Sequence, residues 1–209
     1  MPKLMHRTAL AGIAGAALVA FLILCLSVFA APRRIVLHVE QADFAWGKSD
    51  LTHHLVSQLS RSSEIRTLVS TDLAKSGPAF PDALYDIDSL LNWGREIGGH
   101  FLFVIVVTSE RLETAKTFSL PLIVHRWETV AVIEGEVRLL DLNRGRLLWA
   151  EPFHEELRAR SVLQGGADQT KADADLHVPA EEKQLLFSQL EEQLTDRLTR
   201  RVRTLARSR

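Results

Sequence analysis

One cysteine, Cys25, is all this chain of 209 residues carries, so no internal disulfide can form and any folded domain must be held by its core. A formal net charge of −1 excludes bulk attraction to nucleic acid, and no nucleic acid partner is expected. Catalytic constellations are missing as well. The serines have no Gly-x-Ser-x-Gly setting, and the glycines lack phosphate-loop spacing. His53 and His54 are adjacent and diverge by about 100° on a helix, so they cannot share a metal as an i, i+4 pair does. His38, His100, His125 and His154 are isolated in sequence and read as core or edge residues. Asp86 and Asp88 point to different faces of one helix, while Glu181, Glu182, Glu191 and Glu192 read as helix-surface acids; none makes a paired-carboxylate site by spacing. Asp141-Leu-Asn-Arg-Gly-Arg146 starts like a calcium loop but lacks its third acid and closing Glu, which leaves a turn. The expectation is a protein that is not an enzyme, with no metal and no cofactor.

What the chain does have is an amino-terminal apolar run. Lys3, His6 and Arg7 precede uncharged residues from Thr8 to Ala31, and Pro32-Arg33-Arg34 close the stretch. A spanning helix needs about 20 apolar residues, which this run supplies. Val28-Phe29-Ala30 before Ala31 would also pass as a signal cleavage site. The run exceeds the roughly 7 to 15 residues of a signal core, so an uncleaved transmembrane anchor is preferred over a cleaved signal. Lipid attachment at Cys25 is disfavoured by Leu24 before it and by the apolar residues after it. Residues 1–33 are therefore an anchor or signal segment, and 34–209 a single domain large enough to bury its own core. Composition agrees, with 46% hydrophobic and 24% charged residues. Arg197, Arg200, Arg201, Arg203, Arg207 and Arg209 crowd the carboxyl end, either as a helix end complementing its dipole or as a contact for an anionic lipid or partner.

Periodicity gives the element order. Arg34 to Glu40 is β-branched and fits a first strand; Ser49 or Asp50 can cap a helix carrying Leu51, Leu55 and Leu59; Ile65 to Val69 is a second strand. Ser76 to Pro81 is a loop, after which Asp82 is expected to cap a helix with Leu84, Ile87, Leu91, Gly94 and Ile97 on one face and Gly98-Gly99 as its stop. Phe101 to Val107 is a continuous apolar strand. Trp127 to Leu142 and Arg146 to Arg158 are two long strands joined by Asp141-Leu-Asn-Arg-Gly145. Between them and the central strand, Glu110 to Arg126 holds Phe118, Leu120, Leu122 and Ile123 around Pro121, and reads as a protruding hairpin tip or lip rather than a regular central strand. A polar, Gly/Ala-rich loop near 164–177 is expected to be mobile, and Pro179 opens a long last helix with Phe187, Leu190, Leu194, Leu198, Val202 and Leu205 as its stripe. The fold class is α/β (α+β), a mixed sheet of about five strands with helices packed on it, preceded by a transmembrane helix.

Asn92-Trp-Gly-Arg-Glu-Ile-Gly-Gly-His-Phe-Leu-Phe-Val-Ile resembles the helix-to-strand passage of a superfamily of bacterial envelope domains. Gly135-Glu-Val-Arg-Leu-Leu-Asp-Leu-Asn-Arg-Gly-Arg-Leu-Leu-Trp149 is similar to its hairpin. Members include the curli secretion channel lipoprotein, the lipoprotein activators of penicillin-binding proteins and the amino-terminal domain of the Tol-system propeller protein. Gly99-His100 stands where the family has Ala-Asp, and Asn143-Arg144 where it has an acidic residue and Thr. Both motifs specify folding, not chemistry. The resemblance implies a bacterial inner-membrane protein with a periplasmic domain, or a periplasmic one after signal cleavage. The expected function is to bind, scaffold or regulate another envelope protein through Phe118, Leu120, Leu122 and Ile123, read either as an exposed apolar patch or as a tip that folds back on the domain. The alternative is a self-assembling component of a secretion or outer-membrane structure. A small-ligand module is a third reading, without a convergent polar cluster to support it.

Overall fold

The computed structural model describes residues 32–41, 51–75, 77–82, 84–120, 124–165 and 179–208, with the side chains of 114–120, 124–127 and 159–165 excepted. Strand β1 (Arg33–Gln41) buries Ile35, Val36 and Leu37 in succession, so both faces of the sheet are covered here. Helix α1 (Leu51–Ser60) leads to β2 (Ile65–Val69), a single-turn α2 (Ser70–Leu73) and α3 (Ile87–Glu96). Strands β3 (Phe101–Leu120), β4 (Val124–Asp141) and β5 (Arg146–Gly165) precede the last helix, α4 (Ala180–Arg207).

The sheet order is β2-β1-β3-β4-β5. β1 pairs in parallel with β2 and with β3, and β3, β4 and β5 are antiparallel. Stepping from β1 to β2 and from β2 back past β1 to β3 are moves in opposite directions, and right-handed crossovers then require helices on opposite faces. One core fulfils this by packing Leu51, Leu55 and Leu59 of α1 and Leu190, Leu194, Leu198 and Val202 of α4 on Ile35, Phe103, Ile133 and Leu139. The other packs Leu90, Leu91 and Trp93 of α3 on Val36, Leu102, Val104 and Leu140.

Several expectations are corrected by the structure. The cap of α3 is Asp86, not Asp82: its carboxylate accepts from the Asp88 amide at 3.1 Å and from Ser89 Oγ at 2.5 Å. The stretch before it is held out of the helix, because Arg138 Nη1 donates to the Leu84 carbonyl at 2.7 Å and the Arg138 guanidinium lies 4.4 Å from the centre of the Tyr85 ring. Asp86 is thus off the helix rather than on it, and Ile87 is 37% exposed instead of sharing the buried face. The turn α2 had no periodicity to announce it.

The expected hairpin is present, and its arms are more regular than expected. Residues 110–120 are strand, paired with β4 up to Leu120↔Val124 through two bulges. Pro121 lies outside the described residues. β5 likewise runs on to Gly165; the rest of the loop expected near 164–177 lies outside the described residues. The apolar run 8–31, where a transmembrane helix is expected, also lies outside them, and among the described residues no helix is long and apolar enough to cross a membrane.

A bulge at Val107/Ser109 resets the two faces of β3. Thr108 is the extra residue, its Oγ1 donating to the Glu134 carbonyl at 3.2 Å. Opposite it Gly135 is so crowded that a Cβ would stand 2.1 Å from the Val106 carbonyl oxygen and 2.5 Å from the Phe153 ring. One extra residue inverts the side-chain parity of everything beyond it. Phe101, Phe103, Ile105 and Val107 face α1 and α4; past the bulge Glu110 and Leu112 do, and Ser109, Arg111 and Glu113 turn to the other side.

Candidate functional site

Of the residues expected to form the interface, Phe118 and Leu120 lie at the far end of the β3–β4 pairing. Phe118 pairs with Arg126 and Leu120 with Val124 in the backbone register, past a second bulge at Lys116/Phe118. Leu122 and Ile123 are outside the described residues. The pairing of β3 with β1 ends at Gln41↔Val107, so from Thr108 to Leu120 the strand is flanked on that edge by no described strand. At about 3.3 Å per residue this carries the hairpin roughly 40 Å beyond the end of β1.

The first part of this extension carries an ion-pair lattice on the face that α3 leaves open. Arg111 donates to both oxygens of Glu134 at 2.5 and 2.8 Å, to Glu113 at 2.6 Å and to Ser109 Oγ at 2.9 Å. His154 places one ring nitrogen 2.8 Å from Glu134 and the other 2.8 Å from Glu156. Both nitrogens donate only in the imidazolium, and its pKa is accordingly raised, by the hydrogen bond with Glu156 first and that with Glu134 second. Arg111, then His154, hold Glu134 down to about 2. Glu113, Glu134 and Glu156 outnumber Arg111 and His154, so this strip is net negative whether or not the imidazole is protonated. Charge-assisted hydrogen bonds hold Arg111, Glu134 and His154 against one another across three strands. Sequence reasoning missed it because apolar alternation carries no sign of the bulge; the i, i+2 pairs Ser109/Arg111/Glu113 and His154/Glu156 were the available signal.

On the opposite face Glu110 meets α4. Gln41 Nε2 donates to it, and burial, followed by the charge of Glu191, pushes its pKa up to about 7. The histidines are dispersed. His38 bonds Ser70 Oγ at 2.9 Å and stacks 3.5 Å from Phe80, and burial pulls its pKa down to about 4. His53 and His54 meet edge to face at 6.3 Å. Among the described residues no three His, Cys, Asp or Glu side chains gather in a way that would hold a metal.

The other end of the sheet, where β1 begins, is rich in arginine. Hydrogen bonds tie its parts together: the Arg33 amide to the Glu64 carbonyl at 2.7 Å, the His100 amide to the Arg34 carbonyl at 2.9 Å, the Leu142 amide to the His100 carbonyl at 3.0 Å, and Arg95 Nε to the Leu142 carbonyl at 2.8 Å. The carboxyl end of α4 joins them through Arg207 on Glu64 at 2.9 Å and through Arg203, which donates to the Gln58 carbonyl. Gly145, at φ +63°, shapes the turn that sets Arg144 and Arg146 beside this surface. A pocket of about 250 Å³ opens there, lined by Arg33, His100, Phe101, Asp141, Asn143 and Arg144. Arg33 Nη1 is buried with no hydrogen-bond partner among the described residues. His100 accepts from the Arg34 amide at 2.9 Å, and its pKa is lowered by burial and then by the charges of Arg34 and Arg33.

No protein-family model matches this sequence, and no curated protein does. Among solved structures the chain is similar to a minor lipoprotein from Acinetobacter baumannii, at 14% identity and TM-score 0.37, covering 81% of this chain and 90% of that one. It is similar to rare lipoprotein B from Shewanella oneidensis, at 15% identity and TM-score 0.40, covering 84% and 98%. A lipoprotein from Neisseria meningitidis gives 13% identity and TM-score 0.39, covering 79% and 99%. All three are bacterial lipoproteins. Their scores lie below 0.5, too loose a likeness to carry an activity or a partner across.

Proposed function

We propose that this chain is a membrane-tethered, non-enzymatic domain of the bacterial cell envelope that binds another envelope protein and scaffolds or regulates it. The observation that carries this reading is the extension of β3, β4 and β5 past the end of β1. It directs the hairpin holding Phe118, Leu120, Leu122 and Ile123 away from the end at which the chain leaves its apolar run. A domain held at one end and extended at the other is suited to reach a partner from a membrane. The tether is the run Thr8 to Ala31, kept as a transmembrane helix in the inner membrane, with the domain in the periplasm; cleavage after Ala30 would release the same domain there. Kinship with the curli channel, penicillin-binding-protein activator and Tol propeller families belongs to this proposal and rests on segments 92–105 and 135–149. Gly98 at φ +71° and Gly145 at φ +63° play in them the turn roles that only glycine takes without strain.

The test is in-cell cross-linking of the full tethered chain, with partner identity and complex mass read together. The wild type is expected to recover one envelope protein, and Leu122→Ser with Ile123→Ser to lose it while melting as the wild type does. Retained capture would remove the hairpin tip from the interface.

Self-assembly has its own supporting observation. Among the described residues β5 is an edge strand of 20 residues, a long edge on which a second copy could pair. Light scattering of the full chain in detergent separates the readings: a discrete large oligomer favours assembly, and a monomer favours the adaptor.

A further inference from the structure

We infer that the arginine-rich end is a docking surface for anionic lipid headgroups, the negatively charged face of the bilayer that holds the apolar run; the inference rests on the tethered reading above. Distance is the first argument. Arg33 already belongs to the sheet, and only Pro32 separates it from Ala31, the last residue of the run. With at most about 3.6 Å of reach per residue, a surface built around Arg33 lies within roughly a Debye length of a bilayer spanned by that run.

Charge is the second. Register sets Arg34 beside Arg66, both exposed, and Arg144 in the turn after β4 and Arg146 at the start of β5 add to them. The acids nearby are occupied or withdrawn: Glu64 is taken by Arg207, and Asp141, 3% exposed, accepts from the Arg144 amide. Glu96 is the exposed exception. Arg34, Arg66 and Arg146 make no ion pair among the described residues.

Helix dipoles explain only part of this. Arg95 and Arg207 sit in the last turns of α3 and α4, where a cation complements the helix end. Arg34 and Arg66 are on strands and Arg146 opens another, where no dipole calls for them. Guanidinium is also the cation that grips phosphate in two-point fashion and stays charged at every relevant pH.

The experiment mixes the full chain with vesicles of phosphatidylcholine alone and of phosphatidylcholine with one-third phosphatidylglycerol, at low and high salt. It reads sedimentation and hydrogen exchange at residues 33–36, 64–67 and 142–146. The expected result is sedimentation with both vesicles, with slower exchange at these segments only on the anionic ones and at low salt. Replacing Arg34, Arg66 and Arg146 by Gln should abolish that slowing, each removal weakening the contact on the order of fivefold. The Arg→Lys set retains it, which separates lost charge from lost fold. Sedimentation with both vesicles and identical exchange on each overturns the docking surface and leaves the anchor. Sedimentation on anionic vesicles alone, lost at high salt, overturns the anchor and supports the surface. Sedimentation with neither overturns both.

Discussion

Glu110 is aimed at α4 by the Thr108 bulge, and its carboxyl group is set against Glu191, with the hydrogen bond from Gln41 offsetting part of the cost. Its pKa in the fold is about 7 against an ordinary 4.5, so between those values the folded chain holds a proton that the unfolded chain has released. Stability therefore falls as pH rises through that window and stays lower above it. Glu110→Gln keeps an acceptor for Gln41 and removes the charge. It should raise the melting temperature above pH 7 and flatten its pH dependence, by on the order of 1 kcal/mol once solvent screening of a half-buried group is allowed for. Thermal melts across the window decide: an unchanged slope means that Glu110 is charged and hydrated throughout. His154 slopes the same way, because its raised pKa also means the folded state binds more protons, so His154→Gln is the control that separates the two. Two glycines give a second test at this scale. A Cβ at Gly94 would meet Leu142 side-chain atoms at 2.6 and 2.8 Å, which can shift, whereas at Gly135 it meets backbone oxygen at 2.1 Å, which cannot. Gly94→Ala should cost up to about 1 to 3 kcal/mol and Gly135→Ala more, read from denaturant midpoints. The reverse order would mean that the bulge relaxes freely.

Among the elements, α3 shows how far local signals reach. Asp86→Ala should lower the melting temperature, while Asp82→Ala leaves it unchanged; equal effects would put the helix start back at 82. The Ser89 hydroxyl chiefly holds the Asp86 pKa down, so this contribution is lost as pH falls through the folded value. Both aspartates precede apolar residues at helical spacing, and the deciding contacts come from Arg138, more than 50 residues away, which no local pattern records. Strands β1 and β2, helices α1 and α4, the glycine stop of α3 and the β4–β5 turn were legible because each is set by its own apolar period or turn residues. The parity of β3 was not, because it is fixed by an extra residue and by the partner strand's Gly135. The charged strip was hidden for that reason: Arg111, Glu134 and His154 come from three strands, and only register brings them to one face. The arginines of the last helix were visible as a cluster, but their joining to Arg34, Arg66 and Arg146 waited on the strand order.

For the whole molecule, a formal net charge of −1 averages over two unlike ends. Arginines gather where β1 starts and α4 finishes, whereas Glu40 at the close of β1 and Glu181 and Glu182 at the start of α4 mark the other end. Such a separation acts as a field in its own right, orienting the domain before any contact is made. It predicts behaviour that net charge alone forbids. At a pH slightly above neutrality and low salt, the detergent-solubilised full chain should bind a cation-exchange resin and elute on adding salt. With Arg34, Arg66 and Arg146 changed to Gln it should pass much earlier, while a variant that neutralises Arg158 on β5, away from this end, should elute as the wild type does. If the wild type flows through, the arginines do not act together, and the positive end is a set of separately solvated side chains. If the Arg158 variant is displaced as far as the triple variant, elution follows total charge, and the asymmetry between the two ends has no consequence in solution.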